Sequence, residues 1–189
     1  MTRTHCTKRR TRTLLWAGVC AAVAGLVSGC GGDTINNEGG VGGQKLSFAF
    51  FQRCINPIFL EQLPIVGTGL SNTCAGSGCH DNSTGTGGAF RIIPSAALVT
   101  LPAAPDVIRA SDMYKNFYSS QGEVVLSAIS QSRLLAKPRV QGVLHGGGLI
   151  FETDTDPHVR LIQFWMTHPA PTGQDEFATD PGNGTCTIP

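Results

Sequence analysis

The sequence predicts a mainly α domain in which short helices are separated by long irregular loops. Three observations lead there: capping residues stand ahead of segments with three- and four-residue apolar spacing, Gly (24) and Pro (11) are frequent among 189 residues, and only 14% of side chains are charged. Periodic apolar faces behind caps read as amphipathic helices, whereas clustered Gly and Pro break regular structure.

Ser47 caps a first stretch in which Phe50, Phe51, Cys54 and Ile55 share one face. Asn56-Pro57 interrupts it, and Asn as cap with Pro at the first helical position restarts a helix through Ile58, Phe59 and Leu60 that Pro64 closes. From Gly67 to Gly88 the chain is polar and Gly-rich, which predicts a loop with no core of its own. Ser111 caps a helix in which Met113, Tyr114, Phe117 and Tyr118 form two four-residue pairs before Gly122 stops it. Val124 to Ile129 is ambiguous in period. Ser132 to Lys137 reads as a short helix with Leu134 and Leu135 inward, ended by Pro138. Asp156-Pro157 opens the longest helix, to His168, with Leu161, Ile162, Trp165 and Met166 on its apolar face and Pro169 beyond it.

Ahead of this domain lies a segment of different composition. Arg3, Lys8, Arg9, Arg10 and Arg12 precede an apolar and small-residue stretch from Leu14 to Gly29, which reads as a secretory signal peptide over residues 1–29. Its sixteen residues are shorter than the ~20 that a spanning helix needs, which weighs against the alternative of a retained membrane anchor. Arg9-Arg10 lacks the apolar followers of a twin-arginine signal, because Arg12 and Thr13 stand there, so export of the unfolded chain is expected. Val27-Ser28-Gly29-Cys30 resembles the lipobox of bacterial lipoproteins, which implies acylation of Cys30 as the mature N-terminus. Residues 30–45, with Gly31, Gly32, Gly39, Gly40, Gly42 and Gly43, are then a lipidated Cys and a soft tether spanning on the order of 20 Å. Residues 46–189 make one domain.

Charge narrows the partners. Five of the fourteen Lys and Arg, and none of the thirteen Asp and Glu, lie in residues 1–29, so the remainder carries −4. Nucleic-acid binding loses its electrostatic footprint. No Ser-His-Asp order, paired carboxylate motif, phosphate loop or dinucleotide fingerprint is present, which disfavours a hydrolase or nucleotide enzyme.

The chemistry concentrates at Cys74-Ala75-Gly76-Ser77-Gly78-Cys79-His80. In a c-type site two Cys thiols form thioethers to the heme vinyl groups and the adjacent His reaches the iron. Four residues separate the cysteines here in place of the usual two, and Gly76, Ser77 and Gly78 supply a small insertion that can bulge out. The alternatives are a Cys74–Cys79 disulfide and a zinc-type site, for which no further short-spaced Cys or His pair follows. A second iron ligand is sought among Met113, His145, His158, Met166 and His168. His145 is favoured because His145-Gly146-Gly147-Gly148 lets backbone pack against a flat ring; its bland reading is a turn with an exposed His. Met113 and Met166 read as core, and His158 and His168 as surface residues at the ends of a helix. With Cys30 on lipid, Cys54 and Cys186 remain as a candidate disulfide, against a buried thiol at Cys54.

Over about residues 47–170 the chain resembles the planctomycete-type cytochrome c domains of bacterial surface proteins. The likeness rests on the Phe-rich segment before the motif, on Cys79-His80-Asp81 with Gly87-Gly88-Ala89-Phe90, and on Ser132-Arg133-Leu134-Leu135-Ala136-Lys137-Pro138 leading to His145-Gly146-Gly147-Gly148. The resemblance implies a small c-type cytochrome-like fold with one covalent heme c on Cys74 and Cys79, and iron ligated by His80 and His145. The working expectation is an electron carrier rather than a catalyst, held in the cell envelope by its lipid anchor, periplasm-facing or at the surface, and exchanging electrons with redox proteins there; Gly31 rather than Asp after Cys30 favours the outer membrane. The competing expectation is a surface-anchored polysaccharide- or protein-binding module with a Cys74–Cys79 disulfide and no heme.

Overall fold

A computed structural model describes residues 45–177 and 180–188, all within one compact unit that begins at Asn37. The proposed signal peptide, Cys30 and most of the tether lie outside the described residues. Among those described, no helix is long and apolar enough to cross a membrane.

The first helical rod is continuous through Asn56-Pro57. It consists of α1 (Phe48–Phe50), a π-helical turn (Phe51–Ile55) and α2 (Asn56–Leu60). Ser47 caps it, its Oγ accepting from the Phe50 N–H at 3.2 Å. Pro57 has no N–H to offer the preceding turn, and the helix passes it by widening: the Asn56 N–H reaches back five residues to the Phe51 carbonyl. A π turn therefore replaces the expected interruption.

The expectation of a mainly α domain is overturned here, because the domain is mixed. β1 (Leu63–Ile65) and β2 (Leu70–Asn72) form an antiparallel hairpin, with Leu63 opposite Asn72 and Ile65 opposite Leu70. Gly67 and Gly69, at φ 78° and 71°, supply the left-handed turn between them. Strands of three residues, one holding Pro64 and the other fully exposed, carry no alternating pattern that a sequence can display.

Further along come α3 (Pro105–Ala110), α4 (Asp112–Gln121), a 3-10 turn (Ile129–Gln131), α5 (Arg133–Ala136) and α6 (Pro157–Thr167). Ser111 caps α4 by accepting from the Tyr114 N–H at 3.1 Å, and Asp156 caps α6 by accepting from His158 and Val159. The inward face of α4 is Met113, Asn116, Phe117 and Ser120, and that of α6 is Val159, Ile162, Trp165 and Met166. Both meet the first rod. Phe51 lies 5.4 Å from both Phe117 and Trp165, ring to ring, and Phe48 lies 5.5 Å from Phe117. The Trp165 indole N–H donates to the Ser47 carbonyl at 3.0 Å, so the largest core side chain leaves no buried donor unpaired.

Two ties fasten the tail to this core. Cys54, in the π turn, is disulfide-bonded to Cys186, 132 residues away, and neighbouring Arg53 pairs with Asp180 at 2.8 Å. Buried Glu176 receives Tyr114 Oη at 3.0 Å, Arg109 at 3.2 Å and Lys45 at 3.2 Å. The core runs on into a cleft, whose walls combine its members Phe59, Leu63, Phe90, Leu134 and Phe151 with residues of the hairpin and the Gly-rich loops.

Candidate functional site

His80 is held from three directions. The loop that carries it closes on itself, the His80 N–H donating to the Cys74 carbonyl at 2.9 Å and Cys79 N–H to Gly76 at 3.0 Å. Ala75 N–H ties the start of the loop to the Phe59 carbonyl at the end of α2. The returning strand-like segment pairs with it, Ile92 N–H to the His80 carbonyl at 2.7 Å and Asn82 N–H to Ile92 at 2.9 Å. Of the four residues between the cysteines Ser77 and Gly78 are exposed, so the extra length projects outward. Asp81 pins the turn after His80: its carboxylate accepts from Thr84 N–H (2.7 Å), Ser83 N–H (2.9 Å) and both hydroxyls, which hold it well below the usual carboxylate range.

His145 sits in a closed turn. Gly148 N–H donates to the His145 carbonyl at 3.0 Å, and the His145 ring bonds to the Gly148 carbonyl at 2.8 Å. The hairpin supports this turn, because Val66 N–H donates to the Leu149 carbonyl at 2.9 Å. Gly148 is at φ 81° with Ile65 against it: a Cβ there would approach the Ile65 side chain to 2.9 Å. Glycine is required on both counts.

The fold brings the two rings together. Their centroids are 6.4 Å apart and their planes differ by 11°. In each ring Nδ1 bonds to a backbone carbonyl, Phe90 for His80 (3.1 Å) and Gly148 for His145 (2.8 Å). A carbonyl only accepts, so Nδ1 carries the proton in both, and Nε2 is the lone-pair nitrogen with no partner among the described residues. Burial keeps His80 below its ordinary pKa, and the charges of His145, Arg91 and Lys137 push in the same direction against the Phe90 carbonyl. A neutral imidazole with its second nitrogen fixed by a backbone acceptor is the form that binds metal.

Around the rings lies a small, mainly apolar cavity and, beside it, a larger cleft of mixed lining and cofactor size. A cavity of about 90 Å³, bounded by Phe59, Phe90, Leu134 and Phe151, adjoins a cleft of about 540 Å³ bounded by Leu63, Ile65 and Ile150. Cys74, His80 and His145 line both. The larger volume falls in the range of small-molecule and cofactor pockets, roughly 300–1,000 Å³. Gly87 makes room beside the first ring, since a Cβ there would stand 2.6 Å from the imidazole Cε1.

Cys74 and Cys79 are free thiols, in contrast to Cys54 and Cys186. Burial pushes the Cys74 thiol up to about 11, with Cys79 adding to the effect. Cys79 lines the open cleft, and its Sγ receives the Asn72 side-chain amide at 3.5 Å.

A heme c would fit this set. His80 and His145 would hold the iron, and Cys74 and Cys79 would form the thioethers. Among the described residues no three His, Cys, Asp or Glu side chains cluster as a metal site, and Cys74, Cys79 and His80 do not converge as one.

The remaining candidates lie elsewhere. Met113 and Met166 are 1% exposed in the core and line neither cavity. His158 bridges Glu61 (3.0 Å) and Asp156 (3.2 Å), and His168 stacks on Phe164 and bonds to its carbonyl at 2.8 Å. Sequence reasoning missed the hairpin residues Ile65, Val66 and Asn72, which steady both halves of the site, and the double use of Phe90, whose ring also packs on His80 at 4.7 Å. Only the Pro64 break and the two turn glycines hinted at the hairpin.

No family model, curated protein or solved structure matches this chain. Its class rests on its own residues: a mixed α and β domain with a bis-histidine, dithiol cleft.

Proposed function

We propose that the protein is a heme c electron carrier of the bacterial cell envelope, anchored through lipid at Cys30 and related to the planctomycete-type cytochrome c domains. The observation that carries the reading is the parallel His80 and His145 pair, 6.4 Å apart, with both Nδ1 atoms committed to carbonyls and two free thiols on the same cleft. Bound heme supplies an iron that exchanges one electron between its ferrous and ferric states.

The chain's own residues account for the rest. Phe90 and Gly148 carbonyls hold the two imidazoles in one tautomer and one orientation, so little rearrangement accompanies a change of charge. Phe59, Phe90, Leu134 and Phe151 exclude water from one side. With both His80 and His145 holding the iron, no coordination position would remain for substrate, which favours a carrier over a catalyst. Two imidazoles also give a lower potential than a His and Met pair. The tether and lipid keep the domain close to envelope redox partners.

The test is maturation of the full chain in a host with heme c assembly machinery. The expected product is red, with a low-spin Soret spectrum and heme that stays with the polypeptide after denaturation. Colourless protein in which Cys74 and Cys79 are joined to each other would overturn the reading in favour of a surface binding module.

A further inference from the structure

Resting on the heme reading, we propose that Lys137 is the seat of the cofactor's carboxylates, its ammonium pairing with a propionate at the mouth of the cleft. Heme is an apolar disc with two carboxylate arms, and a site that takes the disc must also place those charges.

Lys137 follows α5 and borders both the 90 Å³ cavity and the 540 Å³ cleft, and so stands at the boundary between them with His80 and His145. It is the only Lys or Arg lining the larger cleft, which has no Asp or Glu at all among the described residues. The other described lysines are engaged: Lys45 pairs with Glu176 at 3.2 Å and Lys115 with Asp112 at 2.7 Å. Lys137 has no carboxylate within pairing distance among the described residues. Glu123, the one acid near the smaller cavity, is taken by Arg133 at 3.5 Å.

Its backbone is nevertheless fixed. The Lys137 N–H donates to the Arg133 carbonyl at 3.1 Å, and the Ile150 N–H to Pro138 at 2.8 Å, which joins this corner to the His145 loop. A half-buried lysine without an acidic partner among the described residues, on a backbone corner fixed beside the cleft, is poised for a charge-assisted hydrogen bond. Arg91 adds a second cation on the His80 side, its guanidinium donating to the Phe90 carbonyl at 3.3 Å and to no carboxylate among the described residues.

The experiment compares matured wild type, Lys137→Gln and Lys137→Arg by resonance Raman in the propionate-bending region, with optical spectra and reduction potentials alongside. Expected for Lys137→Gln is an unchanged low-spin optical spectrum, a downward shift of the propionate-bending band and a lower potential, with Lys137→Arg restoring both. Loss of heme from Lys137→Gln alone, with retention in Lys137→Arg, also supports the charge pairing. A Raman band at the wild-type position in Lys137→Gln, or heme loss from both variants, overturns it while leaving the heme reading intact. Wild type without heme removes the reading itself.

Discussion

His80 and His145 are 65 positions apart, yet each is built the same way: a ring whose Nδ1 is captured by a carbonyl within ten residues of it. That local capture is what turns a histidine into a ligand, by freezing the rotamer and choosing the nitrogen. The consequence is testable at the residue. His145→Ala should convert matured protein from a low-spin to a high-spin spectrum with heme still attached through the thioethers. His145→Met should retain six ligands and raise the potential. An unchanged low-spin spectrum in His145→Ala would assign the second ligand elsewhere, although Met113 and Met166 are sealed in the core. The Cys-His adjacency and the glycines after His145 were legible in the sequence because they are contiguous. The Phe90 carbonyl was not, because a backbone acceptor has no residue signature.

At the scale of elements, capped helices were readable and three-residue strands were not. Ser111, Ser132 and Asp156 mark the starts of α4, α5 and α6; of the apolar residues expected inward, Met113, Phe117, Leu134, Leu135, Ile162, Trp165 and Met166 are buried, Tyr114 and Leu161 are partly buried, and Tyr118 is exposed. α3 escaped notice because it exposes Val107 and buries only Ile108, which leaves no periodic face to read. The hairpin escaped because its pairing partners are defined only by each other. The disulfide between Cys54 and Cys186 joins the π turn to the tail and closes a loop of 132 residues. On the chain-entropy account, replacing both cysteines with serine should lower unfolding free energy by about 4–5 kcal/mol. Unfolding free energies extrapolated from urea titrations, each with its own slope because the freed denatured chain exposes more surface, measure this; a loss below about 1 kcal/mol would show that Arg53–Asp180 and tail packing suffice without it.

Across the whole molecule, stability in acid depends on how the tail is attached. Glu176 is 5% exposed at its side chain. Burial opposes its charge, but hydrogen bonds from its own N–H, Lys45, Tyr114 and Arg109 outweigh that and hold its pKa below the usual 4.5. A carboxyl depressed on folding contributes stability that is full above its unfolded pKa and is lost as pH falls through the folded value. Tail protection in hydrogen exchange over residues 170–177 should therefore hold above about pH 4.5 and fall below it. Glu176→Gln should flatten that dependence. A tail that opens equally in wild type and variant would assign the acid response to other groups.

The sequence by itself determined the list of reactive groups, the cysteine pair beside a histidine, the glycine-flanked second histidine, the caps and the basic, apolar leader, because each is encoded by neighbours along the chain. Tertiary structure decided that the domain is mixed rather than mainly α, that the two imidazoles lie parallel across one cleft, and that Lys137 has no acidic partner among the described residues. Those are properties of distance between segments far apart in the chain, set by how the phenylalanine core packs and where the hairpin is left to fold.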